Sequence, residues 1–146
     1  MKIFIASDHA GFELKKKLVE FLSHSKYEVE DRGPYQFNQF DDYPDYMKPA
    51  AEAVAADSGA RGIVIGGSGE GEAMVANRVR GVRAAVYYGG ALDVVKLARD
   101  HNDANVLSLG ARLVTEREAR DAVTLFLSTP FSNDERHVRR IAKIDH

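Results

Sequence analysis

The segment from Arg61 to Arg78 constrains the fold of this chain more than any other part of the sequence. Ile63, Val64 and Ile65 form a short β-branched apolar run, and four glycines follow within the next six residues. An amphipathic segment comes directly after the glycines. This order predicts a buried strand, then a tight turn, then the start of a helix.

The glycine-rich turn is suited to holding an anion. Glycines let the backbone approach a ligand closely and allow several N–H groups to point at one spot, which stabilises negative charge. The carboxylate of Glu72 follows directly. An anion-binding loop beside a potential base suits chemistry through an anionic intermediate. A tight turn without a ligand would not need so many glycines.

Two common glycine motifs fit this segment poorly. The dinucleotide fingerprint G-x-G-x-x-G would place its third glycine at Glu72 or at Met74. The phosphate loop G-x-x-x-x-G-K-[ST] matches the glycine spacing of Gly66 and Gly71, but Glu72 stands where the lysine should be. A carboxylate there would repel a nucleotide phosphate, so neither nucleotide-binding class is favoured.

Composition predicts one soluble globular domain over residues 1–146. The chain is 45% hydrophobic and 29% charged, and its net charge of -2 implies no general polyanion-binding surface. It has no cysteine, which excludes disulfides, thiolate metal sites and cysteine catalysis. The apolar run at the N-terminus is too short for a signal peptide or a membrane span, so we expect a cytoplasmic protein.

Strand and helix patterns alternate along the whole chain. The predicted strands are 3–6, 28–31, 62–65, 82–87 and 105–109. The predicted helices begin at Gly11 and near Glu72, and the second of these ends near Gly81. Further helices cover 46–57, 90–101, 115–127 and 134–144, with a long aromatic loop at 32–46. Thr115 and Glu118 predict a capping box at the start of the helix over 115–127. The pattern predicts an α/β fold: a three-layer αβα sandwich, Rossmann-like, with a doubly wound parallel five-stranded sheet and an extra C-terminal helix.

Polar residues stand where the predicted strands end. Asp8 and His9 follow the first strand, the glycine loop follows the third, and Arg112 follows the fifth. Ligands in such folds bind beyond the carboxyl ends of the strands, so these groups should meet at one rim. Asp8 also has the simpler interpretation of a helix cap.

Two polar groups elsewhere permit both a functional and a structural interpretation. The segment Asp100–Asp103 is either part of a site or a polar connecting turn. Arg136 and Arg140 are four residues apart and share one helix face, so they can clamp a phosphate. Alternatively they lie on an exposed helix end and form salt bridges with Asp134 and Glu135.

The chain resembles the type B ribose-5-phosphate isomerases, a family that includes galactose-6-phosphate and allose-6-phosphate isomerases. The resemblance begins at Asp8-His9-Ala10-Gly11-Phe12-Glu13-Leu14-Lys15 and covers nearly the whole chain. Six further blocks match in order: Asp42-Tyr43-Pro44, Gly67-Ser68-Gly69-Glu70-Gly71, Ala76-Asn77-Arg78-Val79, 98–105, Leu109-Gly110-Ala111-Arg112 and Arg136-His137-Val138-Arg139-Arg140.

The resemblance implies that Glu72 is the base. Many family members abstract the proton with a cysteine before the glycine loop, and this chain has Gly66 there. A second branch uses a glutamate just after the loop, the position of Glu72. The resemblance also implies that Ser68 handles protons on the substrate oxygens, and that His101 and Asn102 of a neighbouring subunit assist ring opening.

The remaining implied roles concern substrate binding. Asp8 and His9 contact the substrate, Tyr43 lines the pocket, and three arginines bind the phosphate. The backbone N–H groups of the loop form the anion hole. These binding residues are Asp8, His9, Tyr43, Gly67, Gly69, Glu70, Gly71, Asn102, Arg112, Arg136 and Arg140.

The implied reaction is the interconversion of ribose 5-phosphate and ribulose 5-phosphate through a cis-enediolate, a step of the pentose phosphate pathway. A six-carbon substrate, allose 6-phosphate or galactose 6-phosphate, is the alternative. A non-catalytic phosphate-binding regulator and a silent subunit of a hetero-oligomer fit less well. We expect a homodimer or homotetramer with shared sites, and no cofactor, metal, nucleic acid or membrane partner.

Overall fold

The computed structural model describes all residues from 1 to 146. Its elements in chain order are β1 (Lys2–Ser7), α1 (Phe12–Ser23), β2 (Glu28–Asp31), α2 (Pro44–Ala56), β3 (Arg61–Gly66), α3 (Glu70–Ala76), β4 (Ala84–Tyr87), α4 (Asp93–Asn102), β5 (Val106–Gly110), α5 (Glu116–Ser128) and α6 (Glu135–Ile141). None of these helices has both the length and the apolar character needed to cross a bilayer.

The five strands form one parallel sheet in the order β2-β1-β3-β5-β4. From β1 the chain first moves to one side, to β2, and then returns to build the rest of the sheet from β3 on the other side. The strand order therefore reverses between β1 and β3. In open α/β sheets, a crevice for ligands opens at such a switch point, beyond the carboxyl ends of the strands.

Helices cover both faces of the sheet, which confirms the predicted three-layer α/β sandwich. One core packs α1, α4 and α5 against alternate residues of the strands, among them Ile3, Ile63 and Leu107. The second core packs α2 and α3 against the residues between, such as Phe4 and Val64. Because both faces are buried, the central strands are almost continuously apolar, as in most parallel sheets, and Ser108 of β5 is a buried polar exception.

The boundaries of α2, α4 and α6 differ from the sequence prediction. Helix α4 begins at Asp93 and not at residue 90. Helix α2 begins at Pro44 and not at residue 46, since proline is preorganised for the first helical position. Helix α6 covers only Glu135–Ile141, shorter than the predicted 134–144. The predicted capping box of α5 is confirmed, with reciprocal hydrogen bonds between Thr115 and Glu118.

The segment after α3 also differs from the prediction. The helix ends at Ala76, well before the predicted end near Gly81, and β4 starts at Ala84 and not at residue 82. The side chain of Asn77 explains both changes. Its Oδ1 accepts from the Ala84 N–H at 2.7 Å and its Nδ2 donates to the Ala84 carbonyl at 3.1 Å, so it occupies the backbone groups at the start of β4.

Gly11 allows close packing between the start of α1 and the end of β3. A Cβ atom at Gly11 would lie 2.5 Å from the carbonyl oxygen of Ile65. We expect Gly11→Ala to lower the free energy of unfolding by about 1–3 kcal/mol, the usual cost of overpacking a tight core. Urea denaturation measures this loss. Gly59→Ala, whose Cβ has room, is the control, and equal stability of the two variants would contradict the packing argument.

Candidate active site

The predicted rim exists at the carboxyl ends of β1, β3 and β5. Asp8 follows β1, the glycine loop follows β3, and Arg112 follows β5. An open cavity of about 370 Å³ lies there. It is lined by Tyr43, Gly67, Ser68, Gly71, Glu72, Arg112 and Leu113. The cavity is therefore at the edge where the topology of the sheet predicts a ligand.

The glycine loop presents backbone donors that are free within the chain. Gly69 adopts a left-handed conformation, with φ of 85°, and its carbonyl accepts a hydrogen bond of 2.6 Å from the buried Ser108 hydroxyl. This bond and the close approach of Gly69 to β5 fix the shape of the loop. The N–H groups of Gly67, Ser68 and Gly71 have no acceptor within the chain. They can receive an anion.

The carboxylate of Glu72 is buried beside this loop, with only 4% of the residue exposed. It occupies the space in front of Gly66, and a Cβ atom at position 66 would overlap it. Burial raises the pKa of Glu72 above its ordinary value of 4.5, and the negative charges of Asp8 and Glu70 add to the increase. Nearby backbone N–H groups offset part of it. The site thus holds a carboxylate that accepts protons more readily than usual.

Two side chains lie against the glycines and form the walls of the cavity. The ring of Tyr43 packs on Gly71, where a Cβ atom would come within 2.9 Å of Cζ. The Arg112 guanidinium lies over Gly67, where a Cβ atom would come within 3.2 Å of Nη1. The Arg112 backbone N–H also donates to the Gly67 carbonyl at 3.1 Å. Arg112 thereby brings an exposed positive charge to the mouth of the cavity.

Asp8 makes the helix-cap hydrogen bond that one sequence interpretation predicts, and it also lies at the rim. Its Oδ1 accepts from the Gly11 N–H at 3.1 Å, so it caps the start of α1. It is also only 7% exposed and close enough to Glu72 to raise the pKa of that carboxyl. The cap and the place in the site are therefore compatible.

His9 has a partner that the sequence analysis missed. Asp41 accepts from the His9 backbone N–H at 3.1 Å, and its Oδ1 lies 2.7 Å from His9 Nδ1. The side-chain atoms of Asp8, His9 and Asp41 that could bind a metal lie within 4.8 Å of one another, so this group is a candidate metal site. Ligands of a tetrahedral metal are separated by roughly 3.3 Å, given bonds near 2.0 Å. The shorter 2.7 Å separation favours a direct hydrogen bond between His9 and Asp41.

His101 and Asn102 lie at the opposite edge of the sheet, where the amino ends of the strands meet. They end α4, which runs antiparallel to the strands and returns to the start of β5. The Asn102 carbonyl accepts from the Arg83 side chain, just before β4 begins. The five residues of β5 span about 17 Å at 3.3 Å per residue. A single chain therefore does not bring His101 and Asn102 to the glycine loop.

Arg136 and Arg140 belong to this second location. Helix α6 packs on α4, and His137 stacks on His101 with ring centroids 4.4 Å apart. Both arginines are exposed, and Arg136 pairs with Asp134 at 3.4 Å. Within one chain, the interpretation of an exposed helix end is thus correct for Arg136. The predicted site residues form two groups, one at each edge of the sheet.

The family model for ribose/galactose isomerases matches residues 3–144 of this chain. The chain belongs to the ribose/galactose isomerase family. The match covers both groups of predicted site residues and all of the sheet except Lys2.

Members of the ribose/galactose isomerase family are similar to this chain over nearly its full length. Ribose-5-phosphate isomerase B of Mycobacterium leprae is 40% identical, covering 97% of this chain and 86% of its own. The crystal structure of ribose-5-phosphate isomerase B from Mycoplasma genitalium, with bound ribulose-5-phosphate, has a TM-score of 0.93 at 44% identity. The alignment covers 98% of this chain and 93% of that chain. The Thermotoga maritima enzyme has a TM-score of 0.91 at 46% identity, and the alignment covers 99% of this chain and 97% of that chain.

The raised pKa of Glu72 has a consequence for stability. The native state binds this proton more tightly than the unfolded chain does. Protonated Glu72 therefore contributes to the free energy of unfolding. This contribution is complete below about pH 4.5 and is lost as the pH rises through the pKa of the folded state. Glu72→Gln keeps the shape and removes the titration. The unfolding free energy of the variant minus that of the wild type should therefore increase across this window and level off above it.

Urea denaturation of both proteins from about pH 4 to about pH 8 measures the difference. Groups that titrate in both proteins cancel in the subtraction. Glu52→Gln on the exposed side of α2 controls for the loss of one surface carboxylate. A difference that stays flat with pH would show that the Glu72 pKa is not raised.

Proposed function

We propose that this chain is an aldose–ketose isomerase that interconverts ribose 5-phosphate and ribulose 5-phosphate. The observation that carries the proposal is the buried Glu72 carboxylate beside the unpartnered N–H groups of the glycine loop. Moving a carbonyl from C1 to C2 requires a base for a weakly acidic C–H proton and donors for the resulting negative charge. This cavity provides both, and family membership supports the assignment.

In the proposed reaction, Glu72 removes the proton from C2 of the open-chain aldose. The C–H electrons form the C1=C2 bond of a cis-enediolate, and the carbonyl electrons move to O1. The N–H groups of Gly67, Ser68 and Gly71 stabilise that charge, and losing one such donor typically costs about 3–4 kcal/mol. Glu72 then returns the proton to C1, while the Ser68 hydroxyl moves a proton between O2 and O1. A pKa raised towards neutrality suits a base that must both take and return a proton.

The phosphate needs positive charge that the cavity of one chain supplies only through Arg112. Arg136 and Arg140 are exposed at the other edge, beside His101 and Asn102. We propose that a second copy of the chain brings this edge to the glycine loop. Arg136 and Arg140 then bind the phosphate with Arg112, and His101 and Asn102 assist ring opening. The active form is therefore a homodimer or a pair of dimers.

A five-carbon substrate is favoured because the Mycobacterium leprae relative and the solved structures from Mycoplasma genitalium and Thermotoga maritima are ribose-5-phosphate isomerases B. The reaction would then be a step of the pentose phosphate pathway in the cytoplasm. Allose 6-phosphate and galactose 6-phosphate remain the alternative substrates, because their carbon chains are longer than that of ribose 5-phosphate by only one CHOH unit. Comparing kcat/KM for the three sugar phosphates decides between them.

Glu72→Gln tests the base directly. The amide keeps the shape of the side chain but accepts no proton, so we expect kcat with ribose 5-phosphate to fall by about 100-fold or more. Binding of the sugar phosphate, measured by calorimetry, should change little. The matched control is Glu52→Gln, which removes a carboxylate from the exposed side of α2. Near-normal turnover by Glu72→Gln would rule out Glu72 as the base.

Shared sites predict that two inactive variants complement each other. In a mixed dimer of Glu72→Gln and His101→Ala, one site combines the intact Glu72 of one chain with the intact His101 of the other. Random pairing should restore roughly a quarter of wild-type activity, because half of the dimers are mixed and each has one intact site of two. The assay follows unfolding, mixing and refolding, and native mass spectrometry verifies the exchange of subunits. An inactive mixture of verified heterodimers would refute shared sites.

A further inference from the structure

Asp41 holds His9 by two hydrogen bonds that end on one carboxylate oxygen. The His9 backbone N–H donates to Oδ1 at 3.1 Å, and His9 Nδ1 lies 2.7 Å from the same atom. The second distance is typical of a charge-assisted hydrogen bond. The two residues are 32 positions apart, so the contact joins the end of β1 to the loop between β2 and α2.

The burial of this carboxylate is unusual for the loop that carries it. The Asp41 side chain is only 3% exposed, and its second oxygen, Oδ2, is buried without a hydrogen-bond partner. Most other residues of this loop are exposed, including Phe37 and Phe40. Burying a carboxylate oxygen without a partner costs free energy, so the position requires a compensating reason.

The hydrogen bond at Nδ1 determines what the rest of the imidazole can do. A carboxylate accepts only, so Nδ1 must carry a proton, and the bond also fixes the plane of the ring. Nε2 is then the only ring nitrogen available to another partner. The His9 side chain is 29% exposed, so a ligand at the carboxyl end of β1 can reach it.

We propose that Asp41 is the positioning residue of His9. It holds the ring with Nδ1 protonated and leaves Nε2 free for the sugar phosphate. This inference rests on the proposed function, in which His9 contacts the substrate, and it adds the residue that orients this contact. Asp41 does not touch the substrate itself and acts only through His9.

Asp41 also stands two residues before Tyr43, which forms a wall of the cavity. A purely structural role, in which Asp41 only anchors the loop, is therefore the competing explanation. The two explanations differ in one respect. A positioning residue has no effect on activity once His9 is absent, whereas a loop anchor affects the Tyr43 wall with or without His9.

The first experiment observes the hydrogen bond without any assay of activity. In the ¹⁵N-labelled protein, the His9 Nδ1–H proton should give a slowly exchanging imidazole signal, assigned by its absence in His9→Ala. Asp41→Ala should abolish this signal, and Asp41→Asn, which keeps an acceptor oxygen, should retain it. Asp45→Ala, at the exposed start of α2, is the matched control. A signal that persists in Asp41→Ala, or is missing from the wild type, overturns the proposal.

The second experiment is a double-mutant cycle on kcat/KM for ribose 5-phosphate. Asp41→Ala should lower kcat/KM by about 10-fold, at the lower end of the losses seen when an orienting partner is removed from a histidine ligand. Asp41→Asn should recover most of that loss. In the His9→Ala background, Asp41→Ala should have no further effect. An additional loss in that background identifies a loop anchor and overturns the positioning role.

The failure of this proposal is distinguishable from that of the proposed function. If the wild type converts none of the three sugar phosphates, the proposed function fails. The Nδ1–H signal still reports in that case whether Asp41 orients His9. If the wild type is active and Asp41→Ala matches it in both experiments, only the positioning role is wrong.

Discussion

The fit between Gly66 and Glu72 is the constraint on which the site depends. A carboxylate avoids a low-dielectric environment unless something compensates, and no positive charge is among the main influences on the pKa of Glu72. The carboxylate is buried because the residue before the loop has no side chain, and the space in front of Gly66 receives it. A lysine or arginine beside it would make burial easier but would also lower its pKa and its basicity. In the proposed mechanism, the site accepts a cost in stability to keep a basic carboxylate, as active sites often do.

The sheet topology explains why this fit occurs at the third strand. The strand order reverses between β1 and β3, so the crevice at their carboxyl ends is not covered by a crossover helix. Asp8 enters the crevice from β1, the glycine loop from β3, and Arg112 from β5. Three separate parts of the chain thus converge without any long insertion. Because helices alternate with strands, α4 ends where the amino ends of the strands meet. His101 is therefore separated from the loop by the length of a strand.

Sequence periodicity predicted the fold class, the five strands and the rim, because these depend on local patterns of apolar residues and glycines. It misplaced boundaries where a single side chain decides the outcome. Asn77 ends α3 and caps the start of β4 with two hydrogen bonds that no periodicity encodes. Asp41 was missed for a related reason. It lies in an irregular loop, 32 residues from His9, and nothing in the local sequence distinguishes it from the neighbouring Asp42. Loop paths follow from tertiary contacts, which the sequence pattern does not show.

The free donors of the glycine loop belong to the main chain, and this affects how the site responds to genetic change. A missense mutation at Ser68 replaces the hydroxyl but leaves the N–H of that residue in place. Only proline removes a backbone donor outright. Random substitution can therefore reshape the loop but seldom deletes its hydrogen-bonding groups, whereas one nucleotide change can eliminate the carboxylate of Glu72. In the proposed mechanism, the part of the site that binds the anion therefore tolerates most substitutions, whereas the part that moves the proton depends on a single codon.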